Sequence, residues 1–187
     1  MTHYLDIHLR PDPEFSAAHL LAALYAKLHR ALARLEAGCV GVSFPGHGKS
    51  AHRLGDCLRR IGPADNLAGL MAQVWTSGIR DHVNVGNIAP VPATAQHRTL
   101  RRVQAKSNPE RLRRRQMKRH GLTAAHTQQQ VPDSVGERLD LPYIQMTSSS
   151  TGKTFRLFLS LGPPQATSAA GTFNSYGLSS GATIPWY

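Results

Sequence analysis

The sequence predicts an α+β protein, and three observations carry that prediction. An alternating strand is followed by a long amphipathic helix at the N-terminus, a strand, strand, helix, strand order comes after it, and further strand-like segments lie near the C-terminus behind a strongly basic helix. Tyr4 to Arg10 places Leu5, Ile7 and Leu9 on one side and Tyr4, Asp6, His8 and Arg10 on the other, then stops at Pro11 and Pro13. From Ser16 to Glu36, Leu20, Leu21, Leu24, Leu28, Ala31, Leu32 and Leu35 recur at helical spacing, with Ser16 as cap and Gly38 as stop. Val40 to Phe44 reads as a strand, Gly46 to Ser50 as a loop and Arg53 to Ile61 as another strand. A second helix is expected over Ala64 to Trp75, on Leu67, Leu70, Met71 and Val74, and a fourth strand over His82 to Ile88.

That order is the βαββαβ pattern of ferredoxin-like domains, which also frames the RNA-recognition module. The aromatic residues such a module displays on its third strand are missing from Cys57 to Ile61, so bases are not expected to stack on this sheet. A proline-containing linker, Ala89 to Ala95, separates this ferredoxin-like domain, 1–95, from a smaller α/β region, 96–187, with an arginine-rich helix and β-hairpins. There, Arg98 to Lys106 reads as extended, and Thr123 to Gln130 and Asp133 to Leu139 read as short helices. Tyr143 to Ser149 and Thr154 to Ser160 flank a turn at Thr151 to Lys153, and strands at Phe173 to Leu178 and Thr183 to Tyr187 close the chain.

The charge is concentrated. Residues 101–120 carry nine of the 22 Lys and Arg residues against a single acid, Glu110, in a chain of net charge +11. Asn108 and Pro109 supply a cap and a first helical residue. In the helix that follows, Arg111, Arg114, Arg115, Lys118 and Arg119 fall within an arc of roughly 140°, while Leu112, Gln116 and Met117 face away. A cationic stripe opposite a thin apolar seam is no core helix; it suits a polyphosphate backbone, and nucleic acid is the expected partner.

Other classes are disfavoured. No apolar run approaches the roughly 20 residues of a membrane helix, and no signal pattern opens the chain, so a soluble, cytoplasmic protein without a membrane partner is expected. Cys39 and Cys57 have neither close spacing nor a disulfide framework and read as reduced small hydrophobes. The ten histidines form no zinc-finger pairing and no His-Glu-x-x-His run, so neither metal nor cofactor is expected and side chains must do any chemistry.

Three motifs in one order sharpen this reading. The run Arg101-Arg102-Val103-Gln104-Ala105-Lys106-Ser107-Asn108-Pro109-Glu110-Arg111-Leu112-Arg113-Arg114-Arg115, the run Ser148-Ser149-Ser150-Thr151-Gly152 leading to Phe155-Arg156-Leu157-Phe158, and the ending Tyr176-Gly177-Leu178-Ser179 closely resemble the CRISPR RNA-processing endoribonuclease of the subtype I-F pathway. The likeness starts at Tyr4-Leu5-Asp6-Ile7 and runs over essentially the whole length.

The resemblance implies a metal-independent, sequence-specific endoribonuclease that grips the stem-loop of CRISPR repeat RNA (pre-crRNA) and cuts at its 3′ base. It implies that the protein stays on the crRNA with other subunits of a type I-F surveillance complex. The ribose 2′-hydroxyl would attack the adjacent phosphate, leaving a 2′,3′-cyclic phosphate and a 5′-hydroxyl. His29 then matches the proton-transfer position, Ser148 the ribose-restraining one, and Tyr176 an active-site tyrosine that orients the histidine. Ser150 and Thr151 fall where phosphate is bonded, Arg102 and Gln104 where base edges are read, and Phe155 where an aromatic platform stacks on the closing base pair. The chemistry agrees, since imidazole titrates near working pH, Arg forks onto guanine and Gln onto adenine.

Taken alone, His29 would be a boundary histidine about 120° from the centre of the leucine stripe, Ser148 a turn serine, Tyr176 and Phe155 packing residues. Two positions depart from the family pattern: Lys118 stands where a second arginine is usual, which keeps charge without the planar fork, and Ser149 where a longer polar side chain is expected. The alternative is a non-catalytic RNA-hairpin-binding subunit of a ribonucleoprotein complex, which has no need of His29, Ser148 and Tyr176 together. A DNA-binding helix would ask for Asn or Gln beside the arginines, and only Gln116 qualifies, on the seam.

Overall fold

The computed structural model describes residues 1–35, 38–48, 52–105, 109–132 and 139–187. The elements are β1 (His3–Leu9), α1 (Ala17–Leu35), β2 (Gly41–Ser43), β3 (Cys57–Gly62), α2 (Ala64–Ala72), a 3₁₀ turn (Arg80–His82), β4 (Val83–Val85), β5 (Ala89–Pro90), β6 (Gln96–Arg98), β7 (Leu100–Val103), α3 (Pro109–His120), α4 (Ala124–Gln130), β8 (Tyr143–Thr147), β9 (Thr154–Leu161) and β10 (Ile184–Trp186). The protein is thus a mixture of helices and antiparallel sheets.

β2, β3, β1 and β4 lie side by side in that order, with β5 also paired to β1. The pairs are antiparallel, and Leu5 opposes Arg60 while Asp6 opposes Arg59. Strand alternation therefore splits β1 between two environments. Leu5, Ile7 and Leu9 are buried in one core with Leu20, Leu24, Leu28 and Leu32 of α1 and Leu67 and Leu70 of α2. On the other side, Arg59 donates from Nε to Asp6 Oδ1 at 2.7 Å and from Nη2 to Oδ2 at 2.9 Å. Its guanidinium also lies over the Tyr4 and Tyr187 rings, 4.7 and 4.1 Å from their centroids.

By contacts the chain forms two compact units, Met1–Arg102 with Leu141–Tyr187, and Val103–Asp140. These units cut across the expected segments 1–95 and 96–187, because the C-terminal residues return to the first sheet. The Val42 amide donates to the Gly177 carbonyl, and a Cβ on Gly41 would lie 2.8 Å from Ile184 Cγ2. In the first unit, β9 lies between β7 and β8, and β10 pairs with β6. In the second, α3 packs on α4.

Several boundaries differ from expectation. Leu35 ends α1 exposed rather than in the core, and Glu36 lies outside the described residues. The strand expected from Arg53 begins only at Cys57, because Gly55 takes φ +85° and sits against Gly46, where a Cβ on either would approach the other's Cα within 2.9 Å. The strand expected over His82 to Ile88 is only Val83–Val85, and the linker after it contributes β5 to the sheet. Phe173 to Leu178 is no strand: the Asn174 side chain accepts the Tyr176 and Leu178 amides, so β10 pairs with β6 instead of forming a second C-terminal hairpin. The helix expected over Asp133 to Leu139 lies outside the described residues except for Leu139, which is not helical, and the Asn108 cap lies outside them too.

Arg60 is a cation inside this core. It is 0 % exposed, with Nη1 3.0 Å from Met71 Sδ and the guanidinium 5.2 Å from the Trp75 ring centre. Nε and Nη2 have no hydrogen-bond partner among the described residues. Burial pushes the guanidinium down to about 9, with Asp6 pulling the opposite way. Below that value the side chain is charged in both the folded and the unfolded chain, so its desolvation cost is carried in full at neutral pH. Arg60→Met is therefore expected to raise stability, by about 1–4 kcal/mol on the scale of buried charges replaced by apolar side chains. Urea unfolding at pH 7 checks this, and a lower midpoint in the variant would contradict it.

Candidate functional site

α1 carries His29 one turn beyond Tyr25, so both side chains look the same way from the helix. Tyr25 is fully buried, and its hydroxyl donates to the Tyr176 carbonyl at 2.7 Å. Burial, and then the neighbouring Tyr176, push its phenol far above the usual range, so it remains a donor at any working pH. His29 is half-buried, its ring lying flat on Tyr176 with centroids 3.8 Å apart and planes 3° from parallel. Its Nδ1 is 2.9 Å from the Ser175 carbonyl oxygen. A carbonyl only accepts, so Nδ1 carries the proton and Nε2 is the nitrogen left to exchange one.

The loop that presents Ser175 and Tyr176 is itself tied down. Asn174 Oδ1 accepts from Tyr176 N at 2.9 Å and Leu178 N at 3.2 Å, and the Gly177 amide donates back to the Asn174 carbonyl at 2.8 Å. Gly177 has φ +68°, and a Cβ there would lie 2.6 Å from Val42 Cγ1.

Ser148 follows β8, and β8 packs on α1, the helix of His29. The β8–β9 hairpin closes with Thr147 opposite Thr154. Across the turn the Ser148 amide donates to the Lys153 carbonyl and the Gly152 amide to the Ser148 carbonyl, both at 2.9 Å. The Ser148 hydroxyl accepts from Thr151 N at 3.3 Å and lies 3.1 Å from Ser150 Oγ. Ser150 and Thr151 are exposed. On β7 and β9, the exposed Arg102 guanidinium sits 5.4 Å from the centre of the half-buried Phe155 ring. Tyr176 with His29, the Ser148–Thr151 turn, and Arg102 with Phe155 are therefore three local groupings within one unit.

The second unit holds Gln104, which is exposed, and the basic helix α3. Arg111, Arg114, Arg115, Lys118 and Arg119 are all exposed, while Leu112, Arg113, Gln116 and Met117 are partly buried. Arg113 sits on the seam because its Nε donates to the Val131 carbonyl at 2.8 Å. Five cations lie on one solvent-facing arc, with Glu110 the one acid of the helix, and make that face strongly positive.

Among the described residues one cluster of potential metal ligands occurs, Asp6, His8 and Cys57, with ligand atoms within 4.8 Å of one another. Arg59 already occupies both Asp6 carboxylate oxygens, and the cluster shares no residue with the groupings above. Neither Cys39 nor Cys57 is in a disulfide.

Sequence reasoning missed the supports of the His29 site: the Tyr25 hydroxyl, the Ser175 carbonyl and the Asn174 side chain. The Asn174-x-x-Gly177 spacing is a turn signal that could have been read, and Tyr25 stands four residues before His29. A main-chain carbonyl leaves no mark in a sequence.

Comparison with known proteins gives the same family throughout. The family model for CRISPR-associated protein (Cas_Csy4) matches residues 4–187. The chain is 50% identical over 187 residues to a protein of Pseudomonas aeruginosa (strain UCBPP-PA14) named CRISPR-associated endonuclease Cas6/Csy4, covering 100% of both chains. It is 42% identical over 187 residues to a protein of the same name from Escherichia coli (strain UTI89 / UPEC), again covering 100% of both.

Gly177→Ala forces a side chain onto a left-handed backbone and against Val42. It should cost about 1–3 kcal/mol of stability and shift the imidazole resonances of His29 as the Tyr176 ring moves off it. Unfolding curves with histidine NMR spectra check both; an unchanged variant would mean that the loop has another conformation of equal energy.

Proposed function

The chain belongs to the Cas_Csy4 family of CRISPR-associated proteins, and from that footing we propose that it is an endoribonuclease that binds the stem-loop of CRISPR repeat RNA and cleaves at its 3′ base. The observation that carries the proposal is the stacking of His29 on Tyr176 with Nδ1 engaged by Ser175, which leaves Nε2 for proton exchange. The scissile ribose contributes its own nucleophile. Its 2′-hydroxyl attacks the adjacent phosphorus as the bond to the 5′-oxygen of the next nucleotide breaks, giving a 2′,3′-cyclic phosphate and a 5′-hydroxyl. No metal takes part. His29 moves a proton in this step and Tyr176 orients its ring, while Ser148 holds the ribose in line, as such a displacement requires.

Arg102 and Gln104 read base edges at the lower stem, and Phe155 stacks on the closing pair. Arg111, Arg114, Arg115, Lys118 and Arg119 neutralise stem phosphates, with Ser150 and Thr151 on the phosphate near the cut. The product crRNA stays bound, and the protein keeps it within a type I-F surveillance complex in the cytoplasm. The strand order β2-β3-β1-β4 with antiparallel neighbours supports reading the N-terminal domain as ferredoxin-like.

Cleavage of a repeat hairpin in EDTA tests the chemistry. Native RNA should be cut to a cyclic phosphate, and both a single 2′-deoxy substitution at the 3′ base of the stem and the His29→Ala variant should abolish cutting while the hairpin still binds. Binding without cleavage of native RNA would leave a hairpin-capping subunit. A salt titration tests the grip: five cations on five phosphates give a slope of log affinity on log salt of about −4, and a flat response would remove α3 from the interface.

A further inference from the structure

The side of the first sheet away from α1 carries a side-chain cluster that the chemistry above does not use. Asp6 and His8 alternate onto one side of β1, opposite the core side of Leu5, Ile7 and Leu9. Cys57 is the Cα partner of His8 across the β1–β3 pairing, so the thiol comes up beside the imidazole. His8 Nε2 and Cys57 Sγ are 3.8 Å apart, and with an Asp6 oxygen the three ligand atoms lie within 4.8 Å of one another. His8 is exposed, Asp6 half-buried and Cys57 buried, so the imidazole is the member that meets solvent.

These spacings fit an ion of the zinc class. With a metal–sulfur bond of about 2.3 Å and a metal–nitrogen bond of about 2.0–2.1 Å, sulfur and nitrogen on a tetrahedral ion stand about 3.6 Å apart. The observed 3.8 Å is close to that edge, so small side-chain rotations bring the ligands onto an ion. One thiolate, one imidazole and one carboxylate make a mixed sulfur, nitrogen and oxygen set, which suits zinc rather than calcium or magnesium, whose ligands are oxygens. Cys57 binds as the thiolate, its proton passing to solvent, and the fourth position is left to water.

Arg59 supports this arrangement. It donates one hydrogen bond to each Asp6 oxygen, at 2.7 and 2.9 Å, and a carboxylate has about four lone-pair sites, so each oxygen keeps one for an ion. An outer hydrogen bond that fixes a ligand carboxylate is the usual arrangement around a bound metal. The guanidinium is in turn steadied over the Tyr4 and Tyr187 rings.

We infer that Asp6, His8 and Cys57 form a binding site for a divalent ion of the zinc class, which ties β1 to β3. The ion is structural: the cluster shares no residue with the His29, Ser148 and Arg102 groupings. The inference stands apart from the endoribonuclease reading, whose cleavage step uses no metal.

Cobalt(II), which enters zinc sites and reports thiolate ligation through a near-ultraviolet charge-transfer band, is titrated into the full-length, reduced, metal-free protein. The band should saturate at about one ion per chain, and zinc should displace it. Cys57→Ser should remove the band, whereas Cys39→Ser should keep it. His8→Ala, at an exposed position, should weaken cobalt binding by at least the roughly 10–100-fold that loss of an outer partner costs, and it carries the test by itself if Cys57→Ser does not fold. Zinc at about 100 times its dissociation constant should raise the ratio of folded to unfolded protein by up to about 100-fold, seen as a higher urea midpoint. No charge-transfer band, a band that survives Cys57→Ser, an affinity unchanged in His8→Ala, or a midpoint that zinc leaves unmoved overturns the site.

Discussion

The hydrogen bond from the Tyr25 hydroxyl to the Tyr176 carbonyl joins residues 151 positions apart and holds the end of the chain to its first helix. The geometry around His29 follows from it. With Tyr176 fixed from below by a buried phenol, its ring can only lie against the imidazole one helical turn further on, and the preceding carbonyl, that of Ser175, meets Nδ1. Such a contact closes a very long loop, and β2, the strand on which Gly177 leans, is itself held by its pairing with β3. The histidine site is thus a product of the completed fold rather than of any local segment.

That dependence explains what the sequence revealed and what it hid. Alternation in β1 and the leucine spacing of α1 are local patterns imposed by burial, and both could be read directly. The β8–β9 hairpin was legible for the same reason. The ends of elements were not, because they are set by tertiary events: Gly55 meeting Gly46 delays β3 to Cys57, and the Asn174 side chain takes the amides that a strand over 173–178 would have used. His29, Ser148 and Tyr176 were legible only as a family resemblance. By residue type alone a half-buried histidine, a turn serine and a loop tyrosine announce nothing, and the Ser175 carbonyl that fixes the histidine tautomer belongs to the backbone.

The two arginine populations show opposite uses of one side chain. On α3 five cations are exposed along one arc with Glu110 as the one acid of the helix, a density of like charge that costs self-repulsion. Arg113 departs from that set by turning to the Val131 carbonyl, and so helps hold α3 to α4. In β3 the successive residues Arg59 and Arg60 point to opposite sides of the sheet. The first is satisfied by a bidentate carboxylate and two aromatic faces, the second only by a thioether and an indole face among the described residues. A sheet so close to the site is stiff on one face and carries an electrostatic penalty on the other.

The contact between Gly46 and Gly55 acts as a neck. The backbone enters and leaves that excursion at nearly the same point, and of its described residues Leu54 is buried in the core while the His47 ring lies 6.5 Å from that of Trp186. Loop-closure entropy grows slowly, by about 0.6 kcal/mol for each doubling of length, so extra residues there cost little. Residues can therefore be added between the two glycines, provided Leu54 keeps its place in the core, while α1 and the histidine it carries stay where they are.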